Sequence, residues 1–258
     1  MKLVMTRKIF KIGSLIIKFL RKLNDKISRD IFYLHEKLIE IFYGKFKSFY
    51  FSELSVELLN RINKEYRSLN STIASQETKN RFLFVNSIFS SDHLNIINKG
   101  HDYKIISKDL GLLIVDFIDL YSRELKSIIK SPFRVVNVRA WSCLALDKSV
   151  EGTTKEWHTD GFHKGHMKLM IYLGPVDVKE NGTTELEYYG PIISNKGCFM
   201  LFDNNEIHHR AIKPKKASER PIIELTIQRV LIKSLFKTPF YGTPLDRHLT
   251  NPLFAYIL

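Results

Sequence analysis

"GCFMLFDNNEIHHRAIKPKKASERPIIELTI", residues 197–227, holds a short apolar run, a polar turn, two adjacent histidines, a basic loop and an arginine that opens a second apolar run. Both runs are rich in aromatic or β-branched residues and are bounded by Gly, Asn, Asp and Pro, the texture of strands joined by turns. The same texture recurs in "FRVVNVRAW" (133–141), "HMKLMIYLG" (166–174) and "TTELEYYG" (183–190). Runs of this length and spacing predict an antiparallel sandwich or barrel over the second half of the chain.

Upstream of Pro132 the pattern reads as mainly helical. In "SELSVELLNRINKEYRSL" (52–69), Leu54, Leu58, Leu59, Ile62 and Tyr66 fall on one side, with Ser52 as the expected N-cap. "SKDLGLLIVDFIDLYSRELKSIIK" (107–130) opens on Ser107 and Asp109 and closes on lysines just before Ser131-Pro132. Both ends suit the helix dipole, so one long helix is expected, packed on a sheet through a broad apolar face. The expected fold class is therefore α+β, with helices first and the β-rich half carrying the chemistry.

The formal net charge of +13 is uneven: residues 1–50 hold 12 Lys/Arg and 4 Asp/Glu, hence +8, which leaves +5 for the rest. Any argument about an anionic partner starts in that segment. Its apolar stretches are broken by Lys11 and Lys18 and are too short to span a membrane. There is no small-residue cleavage site of a secretory leader. Ile9, Ile12, Ile16, Phe19 and Leu20 suggest an amphipathic helix packed on its own domain, or else one in peripheral contact with a membrane surface. Cys143 and Cys198 stand alone in apolar runs and lack the spacing of a zinc site, so they read as buried thiols of a cytoplasmic protein.

The chemistry concentrates in "KEWHTDGFHKGH" (155–166). On a strand, residues i and i+2 share a face, so His158 and Asp160 aim an imidazole and a carboxylate into one space. A third ligand from a distant strand would complete a two-histidine, one-carboxylate triad, an arrangement suited to Fe(II) and oxygen. The distant candidates are His208 and His209. Adjacent strand residues face opposite ways, so only one of them can reach the metal. His163 and His166 sit among Gly and Lys and read as loop histidines facing solvent or substrate rather than as ligands. An arginine buried near such a site needs an anion, and its planar fork suits a carboxylate. Trp141 reads as core and Arg139 as surface.

Together, "WHTDG", "IYLGPVDVKENGTTEL" and "FDNNEIHHRA…ERP" resemble the Fe(II)/2-oxoglutarate-dependent dioxygenases, in particular the phytanoyl-CoA dioxygenase-like branch, over about residues 133–230. The resemblance implies a double-stranded β-helix (jelly-roll) core and O2-dependent oxidation with Fe(II) as cofactor and 2-oxoglutarate as co-substrate. It implies His158 and Asp160 as proximal ligands and Arg220 as the residue holding the distal carboxylate of 2-oxoglutarate. In related enzymes the distal histidine stands eleven positions before that arginine, which favours His209 over His208. Tyr172 and Thr184 lie where a hydroxyl often helps to orient the co-substrate. The carboxylate at position 160, which related halogenases lack, favours hydroxylation, with desaturation or cyclisation left open.

What the resemblance leaves open is the substrate. A small organic molecule is the expectation, and Lys164, Lys168, Lys213, Lys215 and Lys216 favour an anionic one. The rivals are a non-catalytic jelly-roll binding protein and an oxygenase acting on a protein or RNA, although the aromatic-basic interleaving of a nucleic-acid platform is missing. The expected division is a basic helical extension (1–50) followed by the oxygenase domain (51–258).

Overall fold

The computed structural model describes residues 26, 29–69, 101–104, 107–144, 156–160, 164–215 and 219–231. Among the described residues there are four helices and nine strands, and the helices lie in the first half: α1 (29–43), α2 (Val56–Ser68), α3 (Lys108–Leu120) and α4 (Ser122–Ile129). Nine strands follow the order β1 (Phe49–Glu53), β2 (His101–Lys104), β3 (Phe133–Leu144), β4 (His166–Tyr172), β5 (Thr183–Leu186), β6 (Gly190–Pro191), β7 (Cys198–Asp203), β8 (His209–Ile212) and β9 (Glu219–Arg229). They form a six-stranded sheet, β1-β7-β4-β9-β3-β2, and a three-stranded sheet, β6-β5-β8, with antiparallel pairing throughout. This is the α+β architecture with an antiparallel sandwich expected from the run spacing, and the strand order is that of the jelly-roll core the resemblance implies.

The large sheet is buried on both faces, which is why β4 and β7 read as near-continuous apolar runs. Met167, Leu169 and Ile171 on β4, Phe199 and Leu201 on β7, and Ile223, Leu225 and Ile227 on β9 meet Leu58, Ile62, Leu113 and Phe117 of the helices. Each such side chain contributes roughly 1.5–3 kcal/mol when fully buried. The alternate residues, among them Met170, Tyr172, Met200, Phe202 and Ile222, face the small sheet and pack with Leu186, Ile192 and Ile207. A bulge between Val135 and Asn137 shifts the alternation of β3, so Val135 and Val138 both join the helix side. Trp141 and Cys143 then join the side of the small sheet. The functional side chains lie in this second layer.

Several local expectations change. The N-cap of α2 is Ser55, whose hydroxyl accepts from the Leu58 amide, and not Ser52, which lies within β1. The first half is less helical than expected, because β1 and β2 pair onto opposite edges of the large sheet. The single helix expected over 107–130 is two, α3 and α4, which meet at Tyr121. The Tyr121 ring packs on Phe117 and Phe199 and its hydroxyl reaches the Glu53 carbonyl and the Ser55 amide, anchoring the break. His166 is not in a loop: it opens β4 and is buried edge-on against Phe32 of α1.

Helix α1 buries Phe32, Glu36 and Ile39. The fully buried Arg229 of β9 ties it to the sheet, pairing with Glu36 and donating to the Gly44 carbonyl (2.7 Å) and Ser131 Oγ (3.1 Å). The amphipathic stretch around residues 9–20 lies outside the described residues, as does His163. Among the described residues no helix is long and apolar enough to cross a membrane. Cys143 and Cys198 are free and buried.

Candidate metal centre and anion pocket

His158 sits on a single antiparallel bridge to the first residue of β8: its amide donates to the His209 carbonyl (3.1 Å) and the His209 amide returns the bond (2.9 Å). Two residues so paired put their side chains on one face, and the imidazole centroids are 4.5 Å apart. The Asp160 carboxylate closes the group, with Oδ1 3.7 Å from His158 Nε2 and 3.9 Å from His209 Nε2. One ligand atom from each of the three falls within 4.8 Å of the others.

The ring nitrogens are set for this. His158 Nδ1 lies 2.8 Å from the Glu156 carbonyl, which can only accept, so Nδ1 carries a proton and Nε2 is the nitrogen turned to the centre. His209 is buried, and desolvation first, with Lys168 beside it second, pushes its pKa down to about 3 against the pull of Asp160. It therefore stays a neutral imidazole, the form that ligates metals. His208 is different: its side chain is 51% exposed and its Nδ1 engages Glu187 (2.7 Å). The structure brings His209, not His208, to His158 and Asp160.

Asp160 is held from behind. Asn204, fully buried, donates from Nδ2 to Oδ2 (3.0 Å), and the Lys168 ammonium pairs with the same oxygen. Oδ1 is thus the oxygen turned toward the imidazoles. Lys168 also approaches His209 Nε2 (3.4 Å) and Glu224 Oε2 (3.9 Å). Glu224 in turn pairs with Arg139. Arg139 is therefore buried and not a surface residue, because Glu224 on the neighbouring strand β9 stands opposite it in register. Lys164, by contrast, is spent on Glu206 at the surface (2.7 Å).

The three residues expected at the co-substrate also meet. Arg220 opens β9, is buried, and stands over the Tyr172 ring, 5.8 Å from its centroid. The Tyr172 hydroxyl donates to Thr184 Oγ1 (2.6 Å), and burial raises its pKa, so it remains a phenol. Arg220 spends Nη1 on the Ile212 carbonyl (3.0 Å), while Nε and Nη2 are buried with no hydrogen-bond partner. A buried guanidinium with two free donors and no acid partner among the described residues has the donors to take up an anion.

Sequence reasoning missed Asn204, Glu224 and the place of Lys168 in the centre. The signal was there: in "HMKLMIY" and "PIIELTI" a single charge interrupts a strand apolar on both faces. Such a charge is buried and must have a partner.

No family model matches this sequence, and no curated protein matches it. Among solved structures the chain is similar to HygX from Streptomyces hygroscopicus with nickel and 2-oxoglutarate bound, at 9% identity over 81% of this chain and 92% of that one, with a TM-score of 0.46. It is also similar to the non-heme alpha ketoglutarate dependent epimerase SnoN from nogalamycin biosynthesis (10% identity, 84% and 95% covered, TM-score 0.46). A third likeness is to the viral collagen prolyl hydroxylase of Paramecium Bursaria Chlorella virus-1 in its 2OG complex (14% identity, 71% and 97% covered, TM-score 0.41).

Proposed function

We propose that the protein is an Fe(II)- and 2-oxoglutarate-dependent oxygenase that hydroxylates a small organic molecule. The observation that carries this is the pairing of two sites in one layer: three metal-ligand side chains on one face and, beside them, a buried arginine with free donors. In this reading His158, Asp160 and His209 are the metal ligands and catalytic residues, and Arg220, Tyr172 and Thr184 hold 2-oxoglutarate. The donor set, two imidazoles and one carboxylate, suits Fe(II). The free donors of Arg220 suit the distal carboxylate of the dianion, with the Tyr172–Thr184 hydroxyl pair alongside.

When bound, Fe(II) with 2-oxoglutarate and O2 supplies C–H oxidation, with succinate and CO2 as co-products. The chain's own residues do the rest. Glu156 orients the His158 ring, Asn204 and Lys168 turn Asp160 Oδ1 inward, and burial keeps His209 neutral. Phe202, Met200 and Ile222 line the layer and exclude water from it. The carboxylate at position 160 fills the ligand place that a halide would need, which favours hydroxylation over halogenation and leaves desaturation and cyclisation open. The division into a basic extension (1–50) and an oxygenase domain (51–258) stands as part of the proposal, with α1 bound to that domain through Glu36 and Arg229.

The test is succinate formation by purified protein with Fe(II), 2-oxoglutarate and O2 across a panel of small organic acids, amino acids and lipids. Substrate-triggered succinate, absent in His158→Ala, is expected. No triggered succinate with any candidate, together with salt-dependent binding to RNA or anionic vesicles, would favour the non-catalytic rival.

A further inference from the structure

The layer between the sheets carries one positive side-chain charge more than the oxygenase chemistry balances. Among the described residues its charges are Asp160, whose side chain is 10% exposed, and the buried Glu224 on the negative side, and the buried Arg139, Lys168 and Arg220 on the positive side. One positive charge is in excess. A divalent metal and the 2-oxoglutarate dianion bring equal and opposite charge, so loading the site leaves that excess in place. Without Lys168 the loaded centre would be neutral.

The place of the excess follows from the pairing. Arg139 is committed to Glu224, and Arg220 has the free donors that suit the co-substrate. Asp160 is shared between the metal position and Lys168, so Lys168 is the cation left short of an anion once a metal is bound. Lys168 is 4% exposed, and its ammonium lies 3.4 Å from His209 Nε2 and against Asp160, two of the three candidate ligands. A compact ammonium is strongly hydrated in water, and burying it without a full counter-charge is costly. The centre opens toward solvent on the His158 side, where the His158 side chain is 30% exposed and Trp157 is 42% exposed.

We infer that Lys168 is a substrate-recognition residue that takes a carboxylate group of the organic substrate and seats it beside the metal. This rests on the oxygenase reading above and narrows it to the class of substrate. A carboxylate fits better than a phosphate, because a single negative charge balances the excess and a phosphate dianion overshoots it.

The experiment uses the full chain loaded with Mn(II) and saturating 2-oxoglutarate, which binds without turnover, and follows the Mn(II) electron paramagnetic resonance line shape. The probes are acetate, propionate and benzoate, each against its neutral amide. At least one carboxylate is expected to change the signal saturably while its amide does not. Lys168→Met, which loses a contact to Asp160 and is therefore loaded at Mn(II) and 2-oxoglutarate concentrations raised until its own binding saturates, is expected to weaken that response by more than about tenfold, and Lys168→Arg to retain most of it. Equal effects of acid and amide, a Lys168→Met response like that of the wild type, or a loaded protein blind to every carboxylate would each overturn the inference. A wild-type chain that fails to bind Mn(II) and 2-oxoglutarate together would instead overturn the oxygenase reading, and this inference with it.

Discussion

His158 and His209, fifty-one positions apart, are cross-strand partners that exchange both backbone hydrogen bonds and place their imidazoles 4.5 Å apart. That one bridge joins the turn carrying Asp160 to the first residue of β8 and turns two sequence motifs into one centre. It also sets the roles of the two adjacent histidines, because the neighbour of a bridged residue faces the other way.

His209→Ala is therefore expected to abolish tight binding of one Mn(II) or Fe(II) per chain. His208→Ala, which removes only a half-exposed contact to Glu187, is expected to change it by less than about threefold. Metal titration of the two variants checks this, and the reverse order would move the site to His208.

Asn204 makes no contact with a substrate in this account; it holds Asp160. Asn204→Ala removes the donor to Oδ2, and loss of such an outer partner weakens metal binding by roughly 10–100-fold. Asn204→Asp, which puts a second carboxylate against the first, is expected to be at least as damaging. Retained affinity in both would show that Asp160 needs no such support.

Arg220 presents opposite effects on stability and on binding. Among the described residues its buried charge has no acid partner, so Arg220→Met is expected to raise the melting temperature of the ligand-free protein or leave it unchanged. The same change is expected to remove the rise in melting temperature that metal plus 2-oxoglutarate gives the wild type. A variant that still responds to 2-oxoglutarate would exclude Arg220 as its anchor.

Glu36 gives a pH signature away from the centre. Burial raises its carboxyl above the ordinary 4.5 and outweighs the attraction of Arg229. The folded chain then holds more protons than the unfolded one above that value, so stability falls as pH climbs from 4.5 through the raised folded value. Glu36→Gln lacks this fall. The urea midpoint of the wild type relative to Glu36→Gln should therefore drop between acid and neutral pH, and a relative rise would contradict the assignment.

The strands were legible because each is a short run bounded by turn residues, and the triad because i, i+2 geometry and one distant histidine suffice to suggest it. What stayed hidden depends on contacts between residues far apart in the chain. The break at Tyr121 exists because its ring finds Phe199, and the edge strand β1 because residues 49–53 pair with β7. Arg139 looked like a surface residue because its partner Glu224 is 85 positions away. Lys168 was visible as a basic residue, but its burial against Asp160 and Glu224 is a property of two strands and a turn brought together.

The central claim is that His158, Asp160 and His209 hold Fe(II) beside an Arg220-anchored 2-oxoglutarate. Anaerobic addition of Fe(II) and then 2-oxoglutarate, followed by visible absorption, tests it most directly. A charge-transfer band that requires both components, saturates at one per chain and is absent in Asp160→Ala is the expected result. Fe(II) binding with no 2-oxoglutarate-dependent band, or a band that survives in Asp160→Ala, would contradict it.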